Sequence, residues 1–147
     1  MRHFPLLLVV CLLPLLARAD DFRQSTALLV TATTDATEVH PDSIFEVTLT
    51  LENPTDTVQR IRIPEHAWDH VWKSSNSRVT WDTWDFDQDG RITIEIQPHA
   101  KYVFPKPLRM FVQESVKASR LGFRMGFKTT TFGKTLWSAP ITIEVIP

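Results

Sequence analysis

Within residues 44–53, IFEVTLTLEN, positions 45–52 alternate apolar and polar side chains without a slip. Successive side chains of a β-strand leave on opposite faces, so Phe45, Val47, Leu49 and Leu51 share one face of such a strand. Glu46, Thr48, Thr50 and Glu52 share the other. A helix cannot segregate them, because its faces repeat every 3.6 residues. The same two-residue rhythm returns along most of the chain, and this constrains the fold more than any other feature.

ALLVTATT (27–34) reads as a first strand, and HPDS (40–43) as a turn with Pro and Asp where turns want them. VQRIRIP (58–64) places Ile61 and Ile63 inward. EHAWDHVWKSSNS (65–77) is irregular or holds a single helical turn, and RVTWDTWDF (78–86) and RITIEI (91–96) are expected to form a hairpin. QPHAKY (97–102) is a second turn. In VFPKPLRMFV (103–112), Pro105 and Pro107 each lack a donor, which predicts an edge or bent strand. QESVKAS (113–119) has room for one short helical turn. LGFRMGF (121–127) turns Leu121, Phe123, Met125 and Phe127 to one side, and APITIEVIP (139–147) does so with Ile141, Ile143 and Val145. No segment keeps a helical period for long, and no repeat, low-complexity tract or linker appears. The expectation is an all-β chain, an antiparallel sandwich of about seven to nine strands.

The N-terminus bears on compartment. Arg2 and His3 precede an apolar run from Phe4 to Leu16, and ARA at 17–19 has the small-x-small form of a signal-peptidase site. Such a run spans about 20 Å as a helix, short of the roughly 30 Å of a bilayer core. Residues 1–19 are therefore read as a cleaved signal and 20–147 as one exported domain, periplasmic or secreted, with no membrane span after cleavage. The single cysteine, Cys11, leaves with the signal, so the mature domain relies on its core rather than on disulfides. Arg2 and Arg18 leave too, taking 16 basic residues to 14 against 17 acidic, a net charge of −3. That balance argues neither for nucleic acid nor for an anionic membrane surface, and neither is expected as a partner. The charge is uneven all the same: from Lys101 to Lys134 eight basic residues face Glu114 alone. Either two faces of a sandwich complement each other, or one is a basic docking face.

Three clusters carry candidate chemistry. TWDFDQDGRITI (83–94) sets Asp85, Asp87 and Asp89 before Gly90, like the front half of a calcium loop. The bidentate Glu such a loop needs is missing, since its place is held by Ile96 with Glu95 one position early. A hairpin turn with Gly90 at positive φ is the competing account. His66 and His70, with Glu65 and Asp69 beside them, have the spacing of two metal ligands on one helical face, against surface histidines as the plain alternative. Trp68, Trp72, Trp81 and Trp84 would suit either a sugar-stacking platform, with Trp68, Trp72 and Trp84 as ligand-binding residues, or a core packed between sheets. No nucleophile elbow, phosphate loop or H-E-x-x-H motif is present.

VHPDSIFEVTLTLENPTDTVQRIRI (39–63), IEIQPHAKYVF (94–104) and LWSAPITIEV (136–145) resemble the opening hairpin, mid-domain turn and last strand of small bacterial immunoglobulin-like domains, among them the BsuPI-like proteinase-inhibitor and CARDB-like adhesion-related families. The likeness covers most of residues 26–147 and implies an immunoglobulin-like β-sandwich. It lies in core and turn residues and carries no site residues, and EHAWDHVW and the Asp-rich loop have no counterpart in it. The expectation for function is an exported, non-enzymatic module that binds another protein, with inhibitor-like action as the finer form of that reading. A calcium-assisted carbohydrate-binding module using Asp85, Asp87 and Asp89, and a metallo-enzyme centred on His66 and His70, are the alternatives.

Overall fold

A computed structural model describes residues 27–83, 90–129 and 133–147. The expected signal, together with Trp84, Asp85, Asp87 and Asp89, lies outside the described residues. The described chain is nearly all β. Its segments are β1 (Leu29–Thr33), β2 (Glu38–Val39), β3 (Ile44–Glu52), β4 (Gln59–Pro64), β5 (Trp72–Ser74), β6 (Val79–Thr80) and β7 (Arg91–Ile96). They continue with β8 (Lys101–Val103), β9 (Leu108–Val112), β10 (Ser119–Phe123), β11 (Met125–Lys128), β12 (Thr135–Trp137) and β13 (Ile141–Val145). Only a 3-10 turn, Trp68–Val71, interrupts the pattern.

One layer runs β1-β3-β9-β6, with β8 also on β3, all antiparallel. The clean alternation of 44–52 is borne out: Phe45, Val47, Leu49 and Leu51 are buried. β8 and β9 both run along β3, broken at Phe104–Pro107 where the two prolines fall. That segment is therefore bent, and β9 lies inside the sheet, between β3 and β6.

The opposite layer is a long hairpin. β10 and β11 are separated by Arg124 alone, β10 pairing with β13 and β11 with β12 and β5. Ser138 bonds both the N–H and the carbonyl of Met125, while Phe123 pairs with Ile141. Arg124 thus faces both Ala139 and Pro140, which is a β-bulge that re-aims the ribbon. β2 adds to β13 in parallel, Val39 beside Val145, so the chain changes layers between β1 and β2. More segments occur than expected because bulges and prolines divide long strands.

Of the expected hairpin of 78–86 with 91–96, residues 84–86 lie outside the described residues, and the described part, 78–83, does not pair with 91–96. β7 pairs with β4, Ile94 opposite Ile61 and Ile92 opposite Ile63, while Val79–Thr80 pairs with β9. Burial explains the choice, since Ile61, Ile63, Ile94 and Ile96 all reach one core. That core joins the layers: Phe45 meets Phe123 edge-on at 6.2 Å. Both expected Pro turns close as drawn. Ser43 N–H bonds His40 O and Ala100 N–H bonds Gln97 O, each at 3.1 Å. Their third residues, Asp42 and His99, carry φ of 60° and 57°. Gly90 does not take positive φ; its carbonyl accepts from Glu65 N–H and extends the β4–β7 ladder.

Candidate functional site

The tryptophans sort first. Trp72 begins β5 facing inward and is 2% exposed, its ring 5.2 Å from Phe104 and 5.3 Å from Phe127. A ring with no free face cannot stack on a ligand, so Trp72 as a ligand-binding residue is corrected to core. Trp68 is half-buried, packed on Phe104 at 5.1 Å, with Tyr102 on the same ring at 5.2 Å. These rings form one aromatic wedge beneath the 3-10 turn. Phe104 enters it because the proline-broken strand leaves its N–H to Leu49 O and its side chain to the core.

Beside the wedge lies Asp69, whose carboxyl is pushed above the usual carboxylate range, chiefly by burial. The His70 charge, the N–H groups of Asp69 and His70, and the Trp81 indole pull it back in part. The Trp81 N–H is buried and approaches Asp69 without closing a hydrogen bond. His66 precedes the 3-10 turn while His70 sits within it, so the pair shares no helical face. Among the described residues, no group of three or more His, Cys, Asp or Glu side chains is arranged to hold a metal ion.

The outer face of the β5–β11–β12 sheet holds an arrangement of another kind. Trp137 of β12 stands opposite Gly126 of β11, and Lys73 of β5 flanks Gly126 on the other side. The Trp137 indole sits against the glycine: a Cβ there would come within 2.7 Å of the ring and 2.6 Å of the Thr135 methyl. Lys73 Nζ sits 4.9 Å from the centre of the same ring, in cation–π range. The indole is still 39% exposed. Gly126 is thus the reason a large ring can lie across the strand instead of standing away from it.

The strand beneath carries charge. With Leu121, Phe123, Met125 and Phe127 inward, the outward residues are Arg120, Gly122, Arg124, Gly126 and Lys128. Cations and glycines therefore alternate along one face. Ser75 holds the edge by accepting Arg124 N–H on its Oγ and donating its own N–H to Arg124 O. Asn76 Nδ2 donates to Gly122 O at 3.1 Å. Lys128 Nζ donates to His70 O at 2.7 Å. Glu144 stands opposite Arg120, with Glu38 beyond it, so the basic strip ends on that side. The ion pairs Arg60–Glu95, Lys101–Glu52 and His99–Asp56 lie elsewhere. The basic run of 101–134 is thus divided. Lys101 and Arg109 meet Glu52 and Glu46 on the first layer, while Arg120, Arg124 and Lys128 share the second layer with Trp137.

No known protein-family model and no curated protein matches this chain.

Trp137 was not singled out by sequence reasoning. The usable signal is RLGFRMGFK (120–128), in which a cation, an apolar residue, Gly and Phe occur twice in succession. Glycine in a strand interior marks a close approach by some other group, and two of them on the solvent face point there rather than to the core.

Proposed function

We propose that this chain is an exported, non-enzymatic binding module that docks another protein on the outer face of the β5–β11–β12 sheet. The exposed Trp137, seated on Gly126 and capped by Lys73, carries the proposal. Holding an indole at the surface exposes apolar area to water, and the fold adds a strand glycine to do so. Tryptophan and arginine are the side chains that most often dominate protein interfaces, and this face has both. Export rests on residues 1–19, and the immunoglobulin-like connectivity on the sequence likeness together with the two layers, antiparallel but for β2 on β13. An inhibitor-like action on the partner is the finer form of the same proposal. The carbohydrate alternative is weakened by the burial of Trp72.

A photo-crosslinking amino acid placed at Lys73, at Thr142, or at Arg62 on the outer face of β4 tests it in the protein's own cells. Adducts to a protein are expected from positions 73 and 142, lost in Trp137→Ala, and absent from position 62. Adducts from position 62 alone, or from all three equally, would refute the assignment.

A further inference from the structure

Along the β10–β11 strand, which carries that docking face at Gly126 and runs on into the β10–β13 sheet at Gly122, the two glycine positions are not equivalent. Gly126 is buried under Trp137, whereas Gly122, four residues earlier on the same side of the strand, is exposed. A Cβ at Gly122 would meet only Ile141 O, at 3.9 Å. The chain thus contains one shelf twice: a bare stretch of strand backbone between two outward cations. At Gly126 the cations are Arg124 and Lys128, and the shelf is covered by an indole with Lys73 on its face. At Gly122 they are Arg120 and Arg124, and nothing among the described residues covers it. Thr142 stands opposite Gly122, and Asn76 holds the Gly122 carbonyl from the other side. The backbone acceptor is therefore satisfied, and a visiting group meets a flat, polar-edged surface.

We infer that the Gly122 shelf seats an aromatic side chain from an acidic segment of the partner protein, with carboxylates of that segment on Arg120 and Arg124. The molecule itself shows what fits such a shelf, since Trp137 fills its twin. Charge complementarity supplies the rest. Both arginines extend from the sheet toward solvent, and a planar guanidinium pairs bidentately with a carboxylate and stacks on a ring. Their attachment points are four residues apart, about 13 Å along the strand, which leaves room for a ring between two acidic contacts. Glu144 and Glu38 border the strip and disfavour an acidic segment running on in that direction, so the segment continues toward Lys73 and Lys128. This rests on the protein-docking proposal above and adds the partner's chemistry.

The test uses the mature protein and a short fluorescein-labelled peptide of Asp, Glu and Ser with one central Trp, followed by fluorescence anisotropy. Saturable binding is expected, weakened on the order of tenfold when salt screens the charges. Replacing the peptide Trp by Ser, or introducing Gly122→Val or Arg124→Glu, should each weaken binding by a similar factor, while Arg62→Glu leaves it unchanged. The open space at Gly122 predicts a normal melting curve for Gly122→Val; if that variant melts early, Gly122→Ser takes its place. Equal binding of the Trp-free peptide, indifference to Gly122→Val, or preference for heparin over the peptide would overturn the inference, the last pointing to an anionic polysaccharide. If the crosslinks from positions 73 and 142 persist while the Gly122 variants bind the peptide normally, the docking face stands and only the shelf assignment falls. Loss of those crosslinks removes the parent proposal instead.

Discussion

Asn53 directly follows β3 and is completely buried. Its Nδ2 donates to the carbonyls of Thr57 at 2.8 Å, Ile96 at 2.9 Å and Gln97 at 3.0 Å, two amide hydrogens shared among three acceptors. Its Oδ1 accepts from Thr55 N–H at 3.0 Å and Thr55 Oγ at 2.7 Å, forming an Asx turn at Pro54. One side chain therefore ties the β3–β4 connection to the end of β7. Asn53→Ala removes about four hydrogen bonds at ~0.5–1.5 kcal/mol each and takes the side-chain donor from the buried Ile96 carbonyl. Water reaches the Thr55 and Thr57 ends, so the expected loss is ~3 kcal/mol. For a domain of this size that lowers the melting temperature by about 12 °C. Asn53→Asp keeps the shape and the acceptor but turns a carboxylate oxygen toward three carbonyls, so it should cost at least as much at neutral pH. Acidification should recover part of the loss, because a protonated carboxyl regains one donor. Thermal melts followed by circular dichroism at pH 7 and pH 4 measure both. An Asn53→Asp protein as stable as wild type at pH 7 would refute the donor role assigned to the Asn53 amide.

Gly126→Ala should destabilise the domain by ~1–3 kcal/mol by driving its methyl into Trp137 and Thr135, and adding Trp137→Ala should return part of it, as read by a double-mutant cycle in urea. Asp69 has its pKa raised above 3.8, mainly by burial. The folded state then holds the proton more tightly than the unfolded one, and stability falls as pH rises from 3.8 through the folded value. Asp69→Asn is expected to melt higher than wild type at pH 7, with the difference vanishing below the unfolded pKa; a constant difference across pH would contradict the burial account. Asp42 holds a left-handed φ of 60° that glycine adopts without steric cost, so Asp42→Gly should leave stability unchanged or raise it by ~0.5–1 kcal/mol, measured by urea midpoint.

Much of the layer structure is local in origin and was legible. Period-two alternation at 44–52, 59–63, 121–127 and 141–145 assigns each side chain to core or solvent, because a strand offers only two directions. The Pro turns at 40–43 and 97–100 follow from the fixed φ of proline. Pairing partners are a different matter, because alternation is symmetric toward every other strand with a greasy face. RITIEI was expected to turn back on 78–86 through the Asp-rich loop; of that stretch the described Val79–Thr80 pairs with β9 instead, and RITIEI lies on VQRIRIP, where four isoleucines bury together. Trp72 and Trp137 show the same limit. Both are tryptophans on short strands, and nothing local separates the 2%-exposed one from the 39%-exposed one. What separates them is which face of its sheet each strand presents and what lies across from it: Phe104 and Phe127 for Trp72, a bare glycine for Trp137. By itself, then, the sequence determined that this chain pleats into β layers and which face of each alternating strand it hides. Only the tertiary structure decided which strands meet and where a ring stays in the open, since contacts between residues far apart in the chain exist only once the layers have closed.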